Sequence, residues 1–160
     1  YREAKLMQAL VQLQEKNYSA ALNFITEAKL WPENLGAGKP YDDDIDMRTE
    51  NWLAYLCYKN MSNAKAANEM LLAVVNFMPI RSNTISNFYA GNHLISLWAY
   101  AALNQTSQGM EWIKKQQAKF PDNKIMQWAS SSYQQKKVQP ISIQSEDATV
   151  RIIKQLSLTK

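Results

Sequence analysis

The sequence predicts an all-α fold of about three consecutive helical hairpins followed by a C-terminal capping helix. Three observations carry this. Apolar residues recur at three- and four-residue spacing through most of the chain, the pattern of helices with one buried stripe. Trp31-Pro32, Met78-Pro79 and Phe120-Pro121 each stop such a stripe, because a proline drives the residue before it out of helical geometry. The 160 residues are 46% hydrophobic, with Trp, Tyr, Phe and Leu spread along the whole length, which supplies a packed core and excludes a disordered chain.

The first helix runs from Tyr1 to Glu15 on a stripe of Leu6, Leu10 and Leu13 with Met7 and Val11 beside it, and Lys16-Asn17 breaks it. A second, from Tyr18 to Leu30, buries Tyr18, Ala21, Leu22, Ile25 and Ala28, and a loop from Glu33 to Asp44 follows, punctuated by Gly36, Gly38 and Pro40. The third spans Ile45 to Asn60 with Trp52, Tyr55, Leu56 and Tyr58. The fourth, Asn63 to Phe77, sets Ala66, Met70, Ala73 and Phe77 on one side and Leu71 and Val74 on another. After a polar loop from Ile80 to Asn87, the fifth helix, Phe88 to Leu103, is apolar nearly all round and is expected to be the most buried. Thr106 is the expected N-cap of the sixth helix, which runs to Lys119, and Asp122 that of the seventh, which runs through Tyr133. A polar stretch from Lys136 leads to a short helix from Asp147 to Leu156 that either docks through Ile152, Ile153 and Leu156 or frays. The hairpins are thus about 1–31, 45–78 and 88–120, with an extra helix at 122–134, a repeat domain over 1–135 and a tail over 136–160.

The formal charge is +4, unevenly spread: the first 80 residues hold 8 Lys/Arg against 10 Asp/Glu, the last 80 hold 10 against 4. Lys114, Lys115, Lys119 and Lys124 form a strip with little arginine and no aromatic interleaving, which reads as a solvated face and not as a nucleic-acid surface. No apolar run reaches the roughly 20 residues that cross a bilayer, so no membrane insertion is expected. A start at Tyr1, without Met or a signal-peptide pattern, reads as a piece excised from a longer protein.

The hairpins repeat. Each second helix carries a small residue early and a bulky one four positions later: Ala21 with Ile25, Ala66 with Met70, Gly109 with Ile113. The run Asn17-Tyr18-Ser19-Ala20-Ala21-Leu22, followed by Ala28 and Pro32, resembles the second helix of a tetratricopeptide repeat (TPR), and Ala66, Ala73 and Pro79 repeat it. The stretch Trp31-Pro32-Glu33-Asn34-Leu35-Gly36-Ala37-Gly38-Lys39-Pro40 is similar to a loop of TPR arrays at the C-terminal end of large bacterial proteins whose front half is a domain of unknown function. Leu97 and Gln116 stand where the repeat prefers small residues, so the third copy is degenerate. The resemblance implies a right-handed α-α superhelix and a bacterial parent.

Stacked hairpins bury their apolar faces on each other and line a concave surface with their first helices. On this alignment Arg48, Asn51, Tyr55, Tyr58 and Lys59 point into the groove, joined by Trp98, and aromatic rings beside Asn and Lys suit an extended peptide or a sugar. The competing reading makes Tyr55 and Trp98 core between repeats. The expected function is a non-catalytic interaction or scaffold module for a protein or peptide; the alternative is an accessory domain packing against a carbohydrate-related or enzymatic front domain of the same chain.

No cofactor or metal site is expected. Asp42, Asp43, Asp44 and Asp46 fail as a calcium loop, since Met47 and Leu53 occupy the sixth and twelfth positions, and they suit the start of the third helix instead. Gly36-Ala37-Gly38-Lys39 lacks the spacing of a phosphate loop and follows a helix. His93 and Cys57 have no partners in sequence for metal or nucleophile chemistry and read as packed helical residues.

Overall fold

A computed structural model describes residues 1–30, 45–78, 90–141 and 148–158. Among them are eight helices and no strand: α1 (Arg2–Gln14), α2 (Tyr18–Lys29), α3 (Arg48–Asn60), α4 (Ala64–Val75), α5 (Gly91–Ala102), α6 (Thr106–Lys119), α7 (Lys124–Gln134) and α8 (Ala148–Leu158). The Trp31–Pro40 stretch, Asp42 to Asp44, Pro79, the 80–87 loop, Phe88 and Asp147 lie outside the described residues. The chain divides into two compact units, Tyr1–Ser82 and Asn83–Lys160.

In the first unit α1 pairs with α2 and α3 with α4, and α3 packs across both helices of the preceding hairpin. The interior is Leu6, Ala9 and Leu10 of α1, Ala21, Ile25 and Ala28 of α2, Trp52, Leu53, Ala54 and Cys57 of α3, and Ala67, Leu71 and Val74 of α4. The second unit repeats the arrangement: α5 pairs with α6, and α7 packs across both. There α8 docks, with Val150, Ile152, Ile153 and Leu156 buried; its principal packing partner is α5, not α7, its neighbour in sequence.

One turn joins the helices of all three hairpins. Lys16, Ser62 and Asn104 take left-handed backbone with φ of 63°, 58° and 60°. In each case that residue's N–H donates to the carbonyl three residues back, and the next N–H reaches five residues back: Asn17 to Gln12, Asn63 to Tyr58, Gln105 to Tyr100, at 2.8–2.9 Å. This is the Schellman pattern, which satisfies the last carbonyls of the first helix while reversing the chain. The α7 helix ends identically, with φ 52° at Lys136 and Lys137 N–H donating to Ser132.

Three expectations are corrected, two of them by the shared turn. The residue after the left-handed one is the N-cap, so Gln105 and not Thr106 caps α6, as Asn17 and Asn63 occupy the same place before α2 and α4. Counting from it, the small residue of the crossing falls four positions on, at Ala21, Ala67 and Gly109, so the α4 stripe is Ala67, Leu71 and Val74, whereas Ala73 is exposed. Two adjacent alanines hid this one-residue shift. For α7, Asn123 and not Asp122 is the cap, its side chain accepting from Ile125 N–H at 3.0 Å and Met126 N–H at 3.2 Å.

Two burial expectations change as well. Val11 is exposed, off the stripe of Leu6, Ala9 and Leu10 that α1 buries. The most enclosed helix of the first unit, α3, matches α5: Arg48, Thr49 and Glu50 are buried with its apolar residues.

Candidate interaction site on the third helix

Helix α3 begins at Arg48, three residues later than its apolar pattern suggests, because the Asp46 carboxylate accepts the Arg48 backbone N–H at 3.1 Å and turns the chain there. Asp46 also holds the Arg48 guanidinium, with Nη2 2.6 Å from a carboxylate oxygen. That guanidinium lies over the Phe77 ring, 4.8 Å from its centroid, tying the end of the fourth-helix segment to the start of α3. Two residues on, the Glu50 carboxylate is fully buried and takes a two-pronged contact from Arg2 of α1, whose Nη2 stands 2.9 Å from it and also reaches the Asp46 carbonyl. Two arginines and two carboxylates thus neutralise each other inside the first unit.

Of the six residues expected in the groove, five share one face of α3. Arg48 is engaged as described. Asn51 is half-buried, and its side-chain Oδ1 accepts from Lys29 Nζ of α2 at 2.9 Å. Burial pushes the Lys29 amine below the usual lysine range, with the Glu50 carboxylate pulling in the other direction. Tyr55 is 8% exposed and its ring is tilted against Trp52 with centroids 4.9 Å apart. Lys59 is exposed, its ammonium 5.8 Å from the centre of the Tyr55 ring, and Tyr58 beside it is half-buried. The surface end of this face is therefore Asn51, Tyr58 and Lys59, with Tyr55 beneath.

Trp98 lies in the second unit, half-buried on α5. Counted back from the shared turn it matches Leu56, while Tyr55 matches Leu97 and Ala9, both buried. The Asn51 position corresponds to Lys5 and His93. Lys5 pairs with Glu27 on the second helix of its hairpin, and the His93 ring stacks on Trp112 of its own, centroids 6.4 Å apart.

The ion network was the part that sequence reasoning missed. Glu50 stands in register with Leu53, Ala54 and Cys57, all buried, and a carboxylate within an apolar stripe requires a cation. That signal was present; that the cation would be Arg2 was not. Cys57 is fully buried and its thiol is pushed up to about 11 by loss of solvent, which leaves it protonated and inert. Among the described residues no group of three His, Cys, Asp or Glu residues could hold a metal, and no helix is long and apolar enough to cross a membrane.

Compared with known protein families, with curated proteins and with solved structures, the chain matches none.

Proposed function

We propose that this chain is a TPR-like helical-repeat module that acts without catalysis by holding a protein or peptide along its first helices. The observation that carries the reading is the turn shared by three hairpins, together with the packing of α3 across α1 and α2 and of α7 across α5 and α6. Such a packing rule makes each hairpin a stacking unit, and within the first unit the first helices α1 and α3 share a face. On that face Tyr58 and Lys59 offer a ring edge, a hydroxyl and a cation, a combination that suits an extended peptide carrying an acidic group. Asn51 completes the proposed contact set on α3, while Arg48 and Tyr55 hold that helix in position from below; Trp98, on α5 of the second unit, is proposed as a contact of that unit by itself.

Selection of a displayed library of random peptides on the chain tests this. The expected outcome is a family of acidic peptides whose affinity drops about tenfold with Tyr58→Ala or Lys59→Ala, each worth a contact of about 1.4 kcal/mol, at an unchanged melting temperature. Peptides indifferent to both substitutions overturn the assignment.

A further inference from the structure

We propose that the Lys29 amine is an acylation site, a nucleophile that takes a small acyl group from a thioester. Lys29 is the last residue of α2 and is half-buried, and its Nζ reaches across to α3, where it donates to Asn51 Oδ1 at 2.9 Å. That acceptor is a neutral amide. The carboxylate of Glu50, the residue before Asn51, is taken on both oxygens by Arg2, with Nη2 at 2.9 Å. Lys5 of α1 supplies the contrast within the same unit. It too is half-buried, but its Nζ pairs with the Glu27 carboxylate.

The two environments favour different forms of the amine. An ammonium needs water or a counter-charge around it, and half-burial against an uncharged amide supplies less of this than solvent does. Burial accordingly holds the Lys29 amine below the usual lysine range, although the Glu50 charge acts against it. The hydrogen bond to Glu27 holds the Lys5 amine above that range. A lysine that gives up its proton more readily presents more free amine, the form that attacks a carbonyl carbon. In the reaction the Nζ lone pair attacks the thioester carbonyl carbon; the C–N bond forms, the C–S bond breaks, the thiolate leaves and the nitrogen gives a proton to water. The product is an uncharged amide whose remaining N–H can still donate to Asn51 Oδ1, and half-burial suits a short acyl group such as acetyl. Acylation withdraws a cation beside Asn51, a residue of the proposed contact set, yet the reactivity of the amine is read without any peptide and is decided separately from that reading.

The test is labelling of the full chain at mildly alkaline pH with the acetyl thioester of N-acetylcysteamine, the rate at each lysine being followed by peptide mass spectrometry. Lys29 is expected to acetylate at least about threefold faster than Lys5, with a rate that levels off at a lower pH, and to lose this advantage in denaturing urea. Asn51→Asp sets a carboxylate against Nζ and is expected to slow Lys29 by at least about threefold, while Lys5, in the same unit, keeps its rate and reports that the fold is intact. A Lys29 rate equal to or below that of Lys5 overturns the proposal, as does an advantage that survives in urea or one that ignores Asn51→Asp.

Discussion

Lys16, Ser62 and Asn104 sit in left-handed backbone that glycine adopts freely and other L-residues adopt at a cost of about 1–2 kcal/mol. Lys16→Gly and Ser62→Gly are therefore expected to raise stability by about 0.5–1 kcal/mol each, after the extra freedom of glycine in the unfolded chain is subtracted. Asn104→Gly gains less, since asparagine tolerates this region; urea denaturation of the three variants checks the order. Cys57 sets a pH dependence of known sign. Its thiol titrates near 9.0 when solvated and about 11 in the fold, so the folded state keeps a proton that the unfolded state has lost. Stability from this group is whole below pH 9 and declines as pH rises to about 11, by about 2–3 kcal/mol in all. Lys29, whose amine is pushed down by burial, acts in the opposite sense, so the stability difference between wild type and Cys57→Ala isolates the thiol.

The helices are joined by two contacts of opposite chemistry. Glu50 is buried against Arg2, and Arg2→Ala leaves that carboxylate without its two-pronged partner, at an expected cost of about 3 kcal/mol. Replacing both with apolar residues, Arg2→Met with Glu50→Leu, is expected to recover most of this, which a double-mutant cycle by chemical denaturation measures. The α5–α6 crossing depends instead on the absence of a side chain: a Cβ on Gly109 would meet Tyr100 Cβ at 2.8 Å, and that atom cannot swing aside. Gly109→Ala is expected to destabilise the second unit by about 1–3 kcal/mol despite alanine's higher helix propensity, a reversal of sign that thermal melts report. Both contacts show what apolar spacing leaves unread. Periodicity marks α3 and α5 as buried helices, but a stripe states neither which residue lies opposite nor how near it comes.

Each half of the chain is a compact unit with its own interior, so residues 1–82 expressed alone are expected to retain helical circular dichroism and to unfold cooperatively. A non-cooperative melt would show that the first unit's buried charges need the rest of the chain. Local chemistry was enough to establish helices, their order and their stops, because periodic apolar residues and prolines act within a few residues of themselves; the all-α class and the hairpin order follow from that. Nothing comparable located the repeat register. Ala66 and Ala67 are indistinguishable in sequence, and only the turn at Ser62, a left-handed residue that is not glycine, places Ala67 at the crossing. The face of α3 is the same case: Tyr55 and Tyr58 are alike in composition, and burial of one beside Trp52 while the other stays half-exposed depends on neighbours distant in the chain. The pairing of Arg2 with Glu50 and the docking of α8 against Gly91 likewise join residues tens of positions apart, where the energy resides in desolvation and close approach, quantities that exist only once the helices have met.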